Sequence, residues 1–149
     1  MHTIFYHHEV AAALLARIFL GLLFFFQGID AVFNIQIRGV LRTIEEPMSK
    51  IGVPKFLIIT GTWFACYIEL IGGFLLIIGF AKYYVMYLLG LDLIIASIAL
   101  SIMKAMWDMQ FIFPRFAILI FLLVIPSDWD VVSVDYVWSI IKFFRSLTH

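Results

Sequence analysis

The sequence predicts an all-α integral membrane protein: a four-helix bundle with an amphipathic loop segment and an interfacial C-terminal helix. Three observations carry this expectation. Of the 149 residues, 64% are apolar and 13% charged, against about half and about a quarter in ordinary soluble domains. A mean hydropathy of +1.09 with 16 Phe cannot be hidden inside one small globule, because a chain this short leaves much of its surface exposed. Apolar stretches close to the roughly 20 residues that a membrane span needs recur four times. Ten Lys and Arg balance ten Asp and Glu, so no basic excess exists to attract phosphate. A soluble enzyme, a disordered linker and a nucleic-acid binder are excluded, and the first partner is the lipid bilayer.

The elements follow in order within a single membrane domain, residues 1–149. The first span covers residues 10–33 and is interrupted by Arg17, Gln27 and Asp30. No Lys or Arg precedes it and no small-residue cleavage site follows, so it is expected to be a retained helix rather than a removed signal peptide. Residues 34–55 form the long loop, with Pro47 and Pro54 as breakers. Its apolar positions Ile37, Leu41, Ile44 and Met48 recur at helical spacing among Arg38, Arg42, Glu45, Glu46 and Lys50, which predicts a short helix lying on the membrane. The second span, 56–81, is interrupted only by Glu69. A tight hairpin at 80–84 leads to the third, 83–103, interrupted by Asp92. The fourth, 107–125, is the weakest, with Pro114 and Arg115 near its start. After Pro126, Ser-Asp-Trp-Asp reads as a helix start. The tail 129–146 then carries an apolar stripe of Val134, Val137, Trp138 and Ile141, too short and mixed to span. Trp107, Trp129 and Trp138, with Tyr83 and Tyr84, fall where aromatic belts belong. The positive-inside rule favours a cytoplasmic long loop, with Arg38, Arg42, Lys50, Lys55, Lys104 and Arg115 on that side against Lys82, Lys142 and Arg145.

Side-chain chemistry narrows the function. Cys66 is the single cysteine and the histidines are His2, His7, His8 and His149. No disulfide framework, zinc site, intramolecular dithiol couple or bis-His haem can be built from them. No catalytic residues and no metal ligands are therefore assigned. Cys66 and Met86, Met103, Met106 and Met109 are expected to be packing or lipid-facing residues.

Charged groups inside spans are costly and suggest function. Counting about 1.5 Å per residue from the face where the first span starts, Arg17 falls about 10 Å deep, Glu69 about 15 Å and Asp92 about 13 Å. The expectation is one buried charged layer of Arg17, Glu69 and Asp92, a candidate proton or ligand site. Small residues line the same faces: Arg17, Gly21, Phe24 and Gly28 on the first helix, Thr62, Ala65, Glu69, Gly72, Leu76 and Gly79 on the second, Asp92, Ala96 and Ala99 on the third. Such stripes let membrane helices approach closely. One arginine against two carboxylates leaves minus one, so one carboxylate is expected to hold a proton or an outside cation completes the site. A buried Arg–Glu pair that only fixes helix register is the alternative. A second group (Asp30, Gln27, Lys104 and Arg115) is expected near the opposite face, as solvated helix ends.

At these residues a resemblance emerges. The run Leu15-Ala16-Arg17-Ile18-Phe19-Leu20-Gly21-Leu22-Leu23-Phe24, followed by Gln27-Gly28, resembles the opening helix of the DoxX family of small four-helix membrane proteins. The stretch from Glu69-Leu70-Ile71-Gly72-Gly73-Phe74 to Phe80 resembles that family's second-helix signature, and Gly52-Val53-Pro54 the Gly-x-Pro before it. The resemblance covers residues 10–125 and carries over Arg17, Glu69, Gly72 and Gly73 as characteristic residues, with Gly21 and Gly28 in helix packing. The family is named for a subunit associated with thiosulfate:quinone oxidoreduction. The resemblance thus implies a loose respiratory association in a bacterial inner membrane, an N-terminus on the inside, and at most a quinone as cofactor, but no reaction. Where members often have His-Gly followed by Lys, this chain has Gln27-Gly28 and then Asp30. Its long loop and extended tail add contact surface. The leading expectation is a non-catalytic accessory subunit docking on other membrane subunits. The alternative is a protein that handles protons or a quinone alone, through the buried charged layer.

Overall fold

The computed structural model describes residues 2–103, 108–126 and 129–147, and all regular structure among them is helical. Helix α1 (His2–Ile29) runs on through a π turn, Asp30–Asn34. Helix α2 (Ile37–Lys50) fills the long loop. Helix α3 (Lys55–Tyr67), a second π turn (Ile68–Gly72) and α4 (Gly73–Ile78) form one continuous rod. Then come α5 (Lys82–Ile102), α6 (Met109–Val124) and α7 (Val134–Leu147). Lys104, Met106, Trp107, Ser127, Asp128 and His149 lie outside the described residues.

Three of these rods, His8–Asn34, Lys55–Ile78 and Lys82–Ile102, are long and apolar enough to cross a membrane. Helix α6 is a shorter apolar helix, about 24 Å from its 16 residues, and carries Pro114 in its interior. Large apolar side chains point outwards along every rod, among them Phe19, Phe26, Trp63, Ile94 and Phe113. In water such a surface would drive aggregation; against lipid it needs no cover. The inside is built from Leu20, Phe24, Leu76, Leu89 and Leu119.

The bundle is set by how closely α1 meets the second rod. A Cβ on Gly28 would fall 2.3 Å from the backbone N of Leu70, and one on Gly73 would fall 2.4 Å from the backbone N of Phe25. The two rods therefore run antiparallel in backbone contact, with Gly21 level with Gly73 and Ile77. Gly72 differs, since its nearest neighbour is the end of the Leu89 side chain at 3.3 Å. At the tip, Gly79 (φ 70°) and Ala81 (φ 50°) reverse the chain into α5.

The amphipathic segments are present as α2 and α7. Ile37 and Met48 of α2 face inwards while Lys50 bridges Glu46 on the exposed side at 2.7 Å. Helix α7 starts at Val134, with the Ser133 hydroxyl accepting from the backbone N–H of Tyr136. That start lies beyond the Ser-Asp-Trp-Asp signal. Asp130 is drawn away from capping because it is an ion-pair partner, described next.

Candidate functional site

Arg17, Glu69 and Asp92 do not form one layer. Arg17 sits level with the hairpin tip, its Nη1 within 2.6 Å of where a Cβ on Gly79 would stand. It donates to Asp130 Oδ1 (2.5 Å) and to the Val132 carbonyl. Lys82 Nζ bridges the other oxygen of Asp130 at 2.9 Å. All three side chains are buried. Asp135 completes this cluster by accepting the backbone N–H groups of Ala81 and Lys82, the unsatisfied donors at the start of α5. Arg17 is therefore the clasp that holds the tail against the hairpin. Counting from residue 10 as the membrane face places it too deep, because the register of α1 against α4 puts position 17 near the hairpin end. From Arg17 to Gln27, level with Glu69, is about 15 Å along the helix.

Glu69 and Asp92 do share a layer, and their companions come from the group assigned to the opposite face. Gln27 Nε2 donates to Glu69 Oε1 at 2.5 Å. Arg115 Nη1 donates to Gln27 Oε1, and its guanidinium lies 5.8 Å from the centre of the Phe24 ring. The guanidinium beside Glu69 and Asp92 is that of Arg115, not Arg17. From the sequence, Arg115 reads as a snorkelling helix end because it falls near the start of the 107–125 span. Helix α6 begins at Met109, runs through Pro114 and carries Arg115 about 9 Å from its first residue, where it faces Gln27 of α1. Asp30 is exposed and accepts from Asn34 Nδ2 one turn on.

Local geometry explains how Glu69 reaches this layer. It lies in the π turn Ile68–Gly72, the single-turn widening that proteins often place at functional sites. Asp92 is 1% exposed, and its Oδ1 has no hydrogen-bond partner among the described residues. Cys66, one turn before Glu69, is buried against Ala31 and Ile37.

These side chains close one end of a cavity of about 620 Å³. Helix α5 packs on the second π turn and on α4 but only weakly on α3, and the gap that results is the cavity. Gln27, Glu69, Asp92 and Arg115 lie at its deep end. Gly61, Ala65, Leu93, Ala96 and Ile112 line its shaft, and Ile44 and Met48 of α2, with Met103, flank its mouth. From Glu69 to Leu57 the shaft runs about 18 Å. Exposed Ile95, Ile98 and Phe111 on the rim leave it open to the side where lipid would lie. The volume is that of a small-molecule site and the design fits one: an apolar wall, with a few convergent polar groups at one end.

The DoxX family model matches residues 12–102, well over half of the chain. The chain belongs to the DoxX family. No curated protein matches it, and no solved structure does. Within this family member, Gln27, Glu69 and Asp92 fall inside the matched region, whereas Arg115 and Asp130 lie beyond it. Composition and helices together make the chain a multi-pass membrane protein.

Proposed function

We propose that this DoxX-family chain binds a lipid-soluble molecule of the quinone class in the cavity between α3 and α5. We further propose that it does so as a non-catalytic accessory subunit of a larger complex in a bacterial inner membrane. The observation that carries the reading is the 620 Å³ apolar cavity ending on Gln27, Glu69, Asp92 and Arg115. Its volume falls in the range of small-ligand sites, about 300–1,000 Å³.

The residues suit a quinone. The apolar shaft accepts an isoprenoid tail, and Arg115 could donate to an oxygen of the ring. When bound, such a molecule supplies two-electron, two-proton chemistry. The chain's own residues would orient the ring and keep water from it. A single thiol and histidines confined to the chain ends leave electron delivery to a neighbouring subunit, which supports the accessory role. The exposed apolar face of α7, with Val137, Trp138 and Ile141, offers that neighbour a surface.

Purification from native membranes in mild detergent tests both halves, with mass spectrometry of every co-purifying chain and lipid. Stoichiometric respiratory subunits and a retained quinone are expected. A monomer with no companion chain overturns the accessory role, and a protein carrying only phospholipid overturns the quinone assignment. If the groove were instead a protein interface, a partner helix would cross-link to Ile95 or Ile98.

A further inference from the structure

At the deep end of the cavity, Arg115 and Gln27 donate to internal acceptors and Glu69 accepts from Gln27. Asp92 is the exception. It lines the cavity, is 1% exposed, and leaves Oδ1 without a partner. A buried acceptor without a donor is unfavourable, and Asp keeps an acceptor oxygen whether ionised or protonated. The hydrogen bonds formed here run past it, since Arg115 Nη1 donates to Gln27 and Gln27 Nε2 donates to Glu69. Formal charge points the same way, since two carboxylates face one guanidinium and an acidic head would be repelled.

We infer that Asp92 selects for a head group that brings its own hydrogen-bond donor, a hydroxyl or an ammonium on an apolar body, over one that offers only acceptors. This rests on the cavity being a ligand site, and it names the ligand's chemistry. For a quinone-class ligand it means that the reduced, dihydroxy form is the one held.

The test measures equilibrium binding to the full chain in lipid nanodiscs with four probes: a decyl-substituted hydroquinone, the matching quinone, the hydroquinone dimethyl ether, and decylamine in its ammonium form. A charge-assisted donor to Asp92 should favour the hydroquinone over the quinone and the ether by about tenfold or more. The preference should shrink to about twofold or less in Asp92→Leu, which keeps the side-chain bulk and removes the acceptor. The comparison among probes on the wild-type protein decides the matter even if that variant fails to fold. Ala96→Phe, which narrows the shaft, should weaken every probe and so separates cavity binding from partition into lipid. Decylammonium binding without hydroquinone binding keeps the donor rule and identifies an amine as its source. Equal binding of hydroquinone and ether, or a preference for the quinone, overturns the donor rule and leaves the cavity as a ligand site. Failure of all four probes removes the ligand site itself.

Discussion

Asp130 stands between two buried cations, and that position makes it the most sensitive side chain outside the cavity. Its two oxygens meet Arg17 and Lys82 at 2.5 and 2.9 Å. Removing one member of a buried ion cluster strands the others, which costs about 3–5 kcal/mol. Asp130→Asn keeps the size and loses the charge, so a loss in that range is expected, read as a fall in melting temperature in detergent. The tail should then be cut by protease at low enzyme concentration while the spans stay protected. Replacing all three residues together, Arg17→Met, Lys82→Met and Asp130→Leu, should recover much of that loss, as apolar replacements of buried ion clusters often do. An Asp130→Asn protein with unchanged melting and an intact tail would mean that α7 is held elsewhere. At the cavity floor, Gln27 has the parallel role in a neutral form, since it accepts from Arg115 and donates to Glu69. Gln27→Leu should lose about 2–3 kcal/mol, because it leaves a carboxylate and a guanidinium unsatisfied. The measurement is thermal melting of the purified protein, and Gln27→His, which keeps a donor and an acceptor, should lie between the two.

Among the helices, the contact between α1 and the second rod decides which glycines matter. A methyl on Gly28 or Gly73 would meet backbone at 2.3 or 2.4 Å, and backbone cannot swing aside. Gly28→Ala and Gly73→Ala should therefore push the rods apart and lose about 3 kcal/mol or more, as overpacking does. Gly72→Ala faces side chains, Leu89 from 3.3 Å and Val85 at 3.5 Å, and should change stability by less than about 1 kcal/mol. Comparing the folded yields and melting of the three variants tests this, and equal effects would mean that the close approach is not the source of stability. The helices themselves were legible in the sequence because apolar length and turn signals are local properties, as at residues 55–78 and around Gly79. Depth was not. It depends on where one helix sits against another, and Arg17 was therefore placed with Glu69 when the two are about 15 Å apart. Arg115 escapes for the same reason, since a place near the start of its span does not show that Gln27 of α1 will stand beside it. The π turn at Ile68–Gly72 has no sequence signature of its own, although Glu69 at its heart was visible as the lone charge of its span.

For the molecule as a whole, the gap between α3 and α5 is a weakness unless something fills it. Packing in membrane bundles relies on van der Waals contact between helices, without a hydrophobic drive to bring them together. A cavity of about 620 Å³ gives up much of that contact, so the empty bundle is expected to be the less stable form. A bound ligand at 100 times its dissociation constant would add about 2.7 kcal/mol, which for a domain of this size raises the melting temperature by about 5–10 °C. Exhaustive delipidation should lower the melting temperature, and adding back the lipid fraction that co-purifies should restore it. Space-filling changes on the shaft separate the ligand from general lipid effects. In Ala65→Leu with Ala96→Phe, the new side chains take up room next to Gly61, Leu93 and Ile112, so the delipidated protein should melt higher than the delipidated wild type. The same variant should lose the rise on adding the fraction back. If the double variant melts lower than wild type and still responds to the lipid fraction, the cavity is not where that fraction acts. The stabilising molecule would then sit on the outer face of the bundle, against side chains such as Phe19 and Phe26 that already point towards lipid.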